Sequence, residues 1–179
     1  MITLAQAIPL RRAIERQIDY LKDERFEFSS VTIAKGETPE FPKRTIELIT
    51  GELNKARADY RRLDSLIAEA NLKKVVEWDG EMISLVEAIE LAKQLREETG
   101  EYKRFGIRKK IERSPSHYHS RSRSYDGGSD LITMTTYDPD VYREWGKKLE
   151  RRANLLSGKI EAANHSISIP FDAASYLEE

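Results

Sequence analysis

The chain has 179 residues, 34% of them charged and 39% apolar, with 31 acidic side chains against 30 lysines and arginines and no cysteine. This length suits one domain or two small repeats sharing a core. The near-neutral balance removes a bulk electrostatic case for nucleic-acid or membrane binding, and the missing cysteines exclude disulfides and thiolate metal sites. No apolar run reaches the roughly 18 residues of a spanning helix, and MITLAQAIPLRR lacks the leading positive charges of a signal peptide. The expectation is a soluble cytoplasmic protein.

The first element is announced by ITLAQAIPL, Ile2 to Leu10. Thr3 followed three residues later by Gln6 is a capping box, in which hydroxyl and amide side chains satisfy each other's orphan backbone donors. Leu4, Ala7, Ile14, Ile18 and Leu21 then form an apolar seam that Arg11 interrupts, and a helix over 3–25 is expected. FEFSSVTIAKGETPEFP (Phe26–Pro42) begins with alternating apolar residues and breaks at Gly36, Pro39 and Pro42. Ile46, Ile49, Leu53, Ala56, Tyr60, Leu63, Ile67 and Ala70 alternate steps of three and four, the seam of a coiled-coil-like helix over 43–71.

The pattern then starts again. ISLVEAIEL (Ile83–Leu91) repeats the first helix start, with Ser84 and Glu87 as its capping box, and IAEANLKKVVEWD (Ile67–Asp79) parallels IEAANHSISIPFD (Ile160–Asp172). Two copies of a helix–loop–helix–tail unit follow, 1–80 and 81–179. In the second, helices over 84–104 and 139–164 place Leu85, Ala88, Ala92, Leu95 and Tyr102 against Tyr142, Trp145, Leu149, Leu156 and Ala163. Asn71 and Asn164 stand where a left-handed cap closes a helix, so both read as helix ends. Arg104–Ser114 and Asp130–Asp138 read as strands of a basic β-hairpin insertion, 104–138, or of a β-rich lobe formed with Phe26–Ile33. The fold class is thus mainly α, two duplicated antiparallel helical hairpins with a β-hairpin lobe in the second. Such slender hairpins need further packing, so a homo-oligomer, dimer or larger, is expected.

These helix starts (Ile2–Ile8, Ile83–Ile89), the Ile67–Asn71 ending and the Trp78–Gly80 turn make the chain resemble the septicolysin-like family of bacterial proteins. The resemblance covers the helical arms. It implies antiparallel helical hairpins and oligomerisation, and it carries no activity to transfer. The basic insertion is the departure from that pattern.

The chemistry-bearing residues concentrate in this insertion. His117 and His119 share a strand face, with Asp126 or Asp130 as third ligand, but neighbouring arginines make a poor home for a divalent metal. No Gly-x-Ser-x-Gly elbow appears, no glycine loop opens a helix, and no carboxylate pair stands out, so neither an enzyme nor a cofactor is expected. From Lys103 to Arg123 the chain carries +7, which leaves −8 for the rest. Arg104, Arg108, Lys109, Arg113, Arg121 and Arg123 are interleaved with His117, Tyr118, His119 and Tyr125. Guanidinium forks bind phosphate and aromatic faces stack on bases. A long polyanion meets the acidic remainder, whereas a small ligand needs only the local cluster. The reading is a non-enzymatic oligomer that captures a nucleotide-like anion, sequestering a cyclic-nucleotide signal for instance. The alternatives are an oligomeric protein-binding scaffold and, behind it, nucleic-acid binding.

Overall fold

A computed structural model describes residues 1–113 and 132–177. In chain order these residues form β1 (Ile2–Thr3), α1 (Leu4–Glu27), α2 (Ile46–Lys73), β2 (Val75–Trp78), β3 (Glu81–Ser84), α3 (Leu85–Ile107), β4 (Ile111–Arg113), β5 (Ile132–Met134), α4 (Pro139–Ser166), β6 (Ser168–Ile169) and α5 (Ala174–Leu177). The fold is mainly α, with three two-stranded antiparallel sheets, β1–β6, β2–β3 and β4–β5. The chain divides into two compact units, Met1–Glu87 with Lys159–Glu179, and Ala88–Gly158.

In the first unit α1 and α2 pack antiparallel. Thr3 Oγ1 accepts from Gln6 N at 3.2 Å and Gln6 Oε1 accepts from Thr3 N at 2.9 Å, so both halves of the capping box form. The seams bury Leu4, Ala7, Leu10, Ile14 and Leu21 against Ile49, Leu53, Ala56 and Leu63. At the far end Leu21, Ile49, Leu53 and Ala56 form one cluster, with Ile18 and Phe28 against it. Arg11 leaves the seam for the rim, where it pairs with Asp64 at 2.8 Å over the Tyr60 ring. Arg44 ties the helices together at the same end. Its Nη2 donates to Glu24 Oε2 at 3.1 Å and to Glu52 Oε2 at 2.6 Å, and its Nε lies 2.8 Å from Glu24 Oε1 without aiming its N–H there.

The duplication organises the joints of this unit. α2 and α4 are both 28 residues long and start and stop in equivalent registers. β2 leaves α2 and pairs with β3 at the start of α3, and β6 leaves α4 and pairs with β1 at the start of α1. Equivalent hydrogen bonds tie both joints, Leu85 N to Lys74 O at 2.7 Å and Leu4 N to Ile167 O at 2.9 Å. Val76 and Ile169, like Trp78 and Phe171, are buried at matching places. Asp79 and Gly80, at φ 51° and 87°, make the tight turn between β2 and β3.

Three local expectations change. Asn71 and Asn164 lie inside their helices rather than at left-handed caps, and α2 ends at Lys74 in extended backbone, φ −77° and ψ 135°. Antiparallel pairing of the exit strand stops the helix, so no cap is required, and both asparagine Oδ1 atoms are buried without a hydrogen-bond partner. Phe26 belongs to α1, and residues 28–33 form no strand, because they meet no ladder and the prolines that follow cannot build one. Arg104 to Ile107 continue α3, so the hairpin strand begins only at Ile111.

In the second unit Ala88, Ala92 and Leu95 of α3 and Ala153 and Leu156 of α4 are buried, and Thr99 donates its hydroxyl to Leu95 O at 2.6 Å. Trp145 is 45% exposed, so it does not form the seam. Gly146 takes the buried place, with room for a Cβ only 3.4 Å from Tyr102 Cβ.

Candidate basic and aromatic ligand site

The basic segment begins on the last turns of α3 and continues onto β4. Here α3 and α4 come very close. A Cβ on Gly106 falls 2.9 Å from Arg143 Cα and Cβ, a separation that only glycine permits. Arg143 uses the approach, donating from Nε and Nη2 to Gly106 O at 3.1 and 2.6 Å, and it also pairs with Asp140. Beside this crossing five rings gather. Tyr142 lies 5.2 Å from Tyr102, 5.3 Å from Phe105, 4.9 Å from Tyr137 and 5.3 Å from Trp145, mostly edge to face, as ring quadrupoles favour. Tyr137 donates its hydroxyl to Phe105 O at 3.3 Å. The Glu98 carboxylate, and then burial, hold the Tyr102 phenol above its ordinary value, which keeps it a neutral donor.

On this platform the basic residues sort into two groups. Lys103 pairs with Glu150 at 2.6 Å, and Lys110 stands 3.9 Å from Asp138. Arg104, in the last turn of α3, and Arg108, just past its end, line with Glu101 and Phe105 a shallow groove of about 290 Å³. Neither guanidinium has a carboxylate partner among the described residues, and the Phe105 ring is 37% exposed. Lys109 is exposed in the turn before β4, and Arg113 ends that strand. His117, Tyr118, His119, Arg121, Arg123 and Tyr125 lie outside the described residues.

The β4–β5 ladder pairs Ile111 with Met134 and Arg113 with Ile132, so Ile111, Met134 and Ile132 share one face. Each is more than half exposed. Sequence reasoning found the arginines and placed Tyr102 against Tyr142 and Trp145, but not the addition of Phe105 and Tyr137 to that cluster or the Gly106–Arg143 crossing. The spacing of Tyr102 and Phe105 on one helix, and of Tyr142 and Trp145 on its partner, was the available signal. Chemically, the site offers guanidinium donors beside a ring face. Among the described residues no three His, Asp or Glu side chains gather as a metal-ligand set, and no helix is long and apolar enough to cross a membrane.

No family model matches this chain, and no curated protein matches it either. Among solved structures it is similar in fold to a functionally unknown conserved protein from Corynebacterium diphtheriae, with a TM-score of 0.61 at 16% identity. That alignment covers 94% of this chain and 98% of the other, so the likeness extends over nearly the whole of both.

Proposed function

We propose that this protein is a non-enzymatic, oligomeric binder of a small phosphate-bearing, nucleotide-like ligand, which it sequesters at the basic end of its second helical hairpin. One observation carries the reading: Arg104 and Arg108 stand together, without carboxylate partners among the described residues, around a half-open groove beside the Phe105 ring. Two guanidinia lining one groove can fork onto a phosphate, and a ring face at the groove can stack on a base. Of the neighbouring lysines, Lys103 pairs with Glu150 and Lys110 stands near Asp138, so among the described residues the uncompensated positive charge gathers at Arg104, Arg108 and Lys109. A local charge suits a small anion better than a polyanion. The resemblance to septicolysin-like proteins supports the oligomeric, helical-hairpin part of the reading.

Titration calorimetry with mononucleotides and cyclic dinucleotides tests it. Saturable binding at physiological salt is expected, weakened at least tenfold in Arg104→Ala/Arg108→Ala, since each lost charge-assisted hydrogen bond costs about 1.5–3 kcal/mol. No heat from any nucleotide, or equal heat from the variant, overturns it. A second reading, an oligomeric protein-binding scaffold, is favoured by the apolar face of Ile111, Ile132 and Met134. It predicts that Ile111→Asp weakens self-association in sedimentation while Arg104→Ala/Arg108→Ala leaves it unchanged.

A further inference from the structure

The duplication builds two equivalent crossings in the first unit: the end of α4 crosses β2, and the end of α2 crosses β6. Their backbones correspond, through the paired Leu85–Lys74 and Leu4–Ile167 hydrogen bonds and the matching buried residues. Their side chains do not. At the first crossing Lys159, the residue before the repeated isoleucine Ile160, reaches over the strand. Its Nζ donates to Glu77 O at 2.6 Å, lies 2.5 Å from Glu77 Oε2, and sits 5.9 Å from the centre of the Trp78 ring. This clasp covers the crossing. At the second crossing the matching positions hold Leu66 and Pro170, which have neither the ammonium nor the carboxylate to make one.

The consequence is a groove of about 380 Å³ at the second crossing, floored by Leu66, Ala70, Ile167 and Pro170. Its rim carries Glu69, Lys73 and Lys74. Glu69 and Lys73 neutralise each other at 2.5 Å, and Lys74 has no carboxylate partner among the described residues. The groove is therefore apolar below with one uncompensated positive charge at its edge.

We propose that this groove binds a small amphipathic monoanion, a carboxylate whose hydrocarbon body lies over Leu66, Ala70 and Pro170 while its charged end meets Lys74. Charge complementarity selects a single anion, because the rim carries one net cation. The volume falls at the lower end of small-molecule pockets, roughly 300–1,000 Å³, and is too small for a docked helix. Pro170 offers no N–H beyond β6, so the strand edge is a poor template for an added peptide strand. The site is independent of the arginine groove of the second unit.

Decanoate, below its micelle concentration, is the probe, followed by amide chemical shifts, with decanol as the uncharged control. Saturable shifts centred on Leu66–Lys74 and Ile167–Phe171 are expected, with decanol at least tenfold weaker. Lys74→Ala should weaken decanoate about tenfold, as the loss of a charge-assisted contact implies. Leu66→Lys/Pro170→Glu, which writes the clasp of the first crossing into the second, should abolish binding. Shifts centred elsewhere, equal affinity for decanol, or undiminished binding in the Lys74→Ala protein overturns the proposal. So does decanoate binding to a folded clasp variant as tightly as to the wild type.

Discussion

The far ends of the two helical hairpins show what duplication preserved and what it changed. In the first hairpin Leu21, Ile49 and Leu53 make an aliphatic cluster that is almost wholly buried. In the registers shared by α1 with α3 and by α2 with α4, the corresponding residues are Tyr102, Tyr142 and Gly146. One end is filled by branched side chains. The other is filled by rings, with Gly146 against Tyr102 and with Gly106 where the backbone of Arg143 comes too close for a Cβ. The ties differ as well: Arg44 holds the first end through the carboxylates of Glu24 and Glu52, while Arg143 holds the second through the Gly106 carbonyl and Asp140. Aliphatic packing closes its end. Aromatic packing leaves Phe105 and Trp145 partly exposed, Phe105 in the groove lined by Arg104 and Arg108, which have no carboxylate partner among the described residues. The helical frame is common to both repeats, and the packing of its far ends is not.

Substitutions break this comparison in order of size. Leu53→Ala removes a fully buried side chain from the aliphatic end and should cost about 2–5 kcal/mol in chemical denaturation. At the aromatic end the sign of the volume change reverses. Gly106→Ala adds one methyl group where a Cβ already stands 2.9 Å from the Arg143 backbone, and should cost about 1–3 kcal/mol by forcing α3 and α4 apart. A loss below about 0.5 kcal/mol would show that this crossing is looser than described. The smallest effect belongs to the Lys159 clasp. Lys159, followed by the Gly80 N–H, holds the Glu77 carboxyl below its ordinary value of 4.5. A lowered carboxylate stabilises the fold above that ordinary value and loses its contribution as pH falls through the lower folded one. The stability difference between wild type and Lys159→Ala should therefore be present at neutral pH and fade on acidification below 4.5. A difference that is flat or grows towards acid pH contradicts the clasp.

Much of this frame was legible in the residues themselves. Paired capping boxes and three-four apolar steps mark the helices because local backbone satisfaction and one-sided burial leave a short-range imprint. The failures were non-local. Arg104–Ile107 reads as a strand beside the β-branched Ile111, yet stays helical where the Phe105 carbonyl meets Tyr137 and the Gly106 carbonyl meets Arg143 of α4. Asn71 looks like a cap until the β2–β3 pairing is known. The groove at Leu66 and Pro170 became visible only by comparing equivalent crossings in space, since neither residue announces a site. The basic residues of the second hairpin were visible from charge, but that Lys103 and Lys110 are the paired ones depends on Glu150 and Asp138, far along the chain.

The central claim, that the aromatic end of the second hairpin and not the aliphatic end of the first captures a phosphate-bearing ligand, is tested most directly by residue-resolved chemical shifts. A cyclic dinucleotide should be titrated into the full-length protein at physiological salt. The account predicts saturable changes at the amides of Arg104, Phe105 and Arg108 and at the Trp145 indole, with Leu21, Ile49 and Leu53 unmoved. Changes of equal size at both ends, or no saturable change around Arg104 and Arg108, would contradict it.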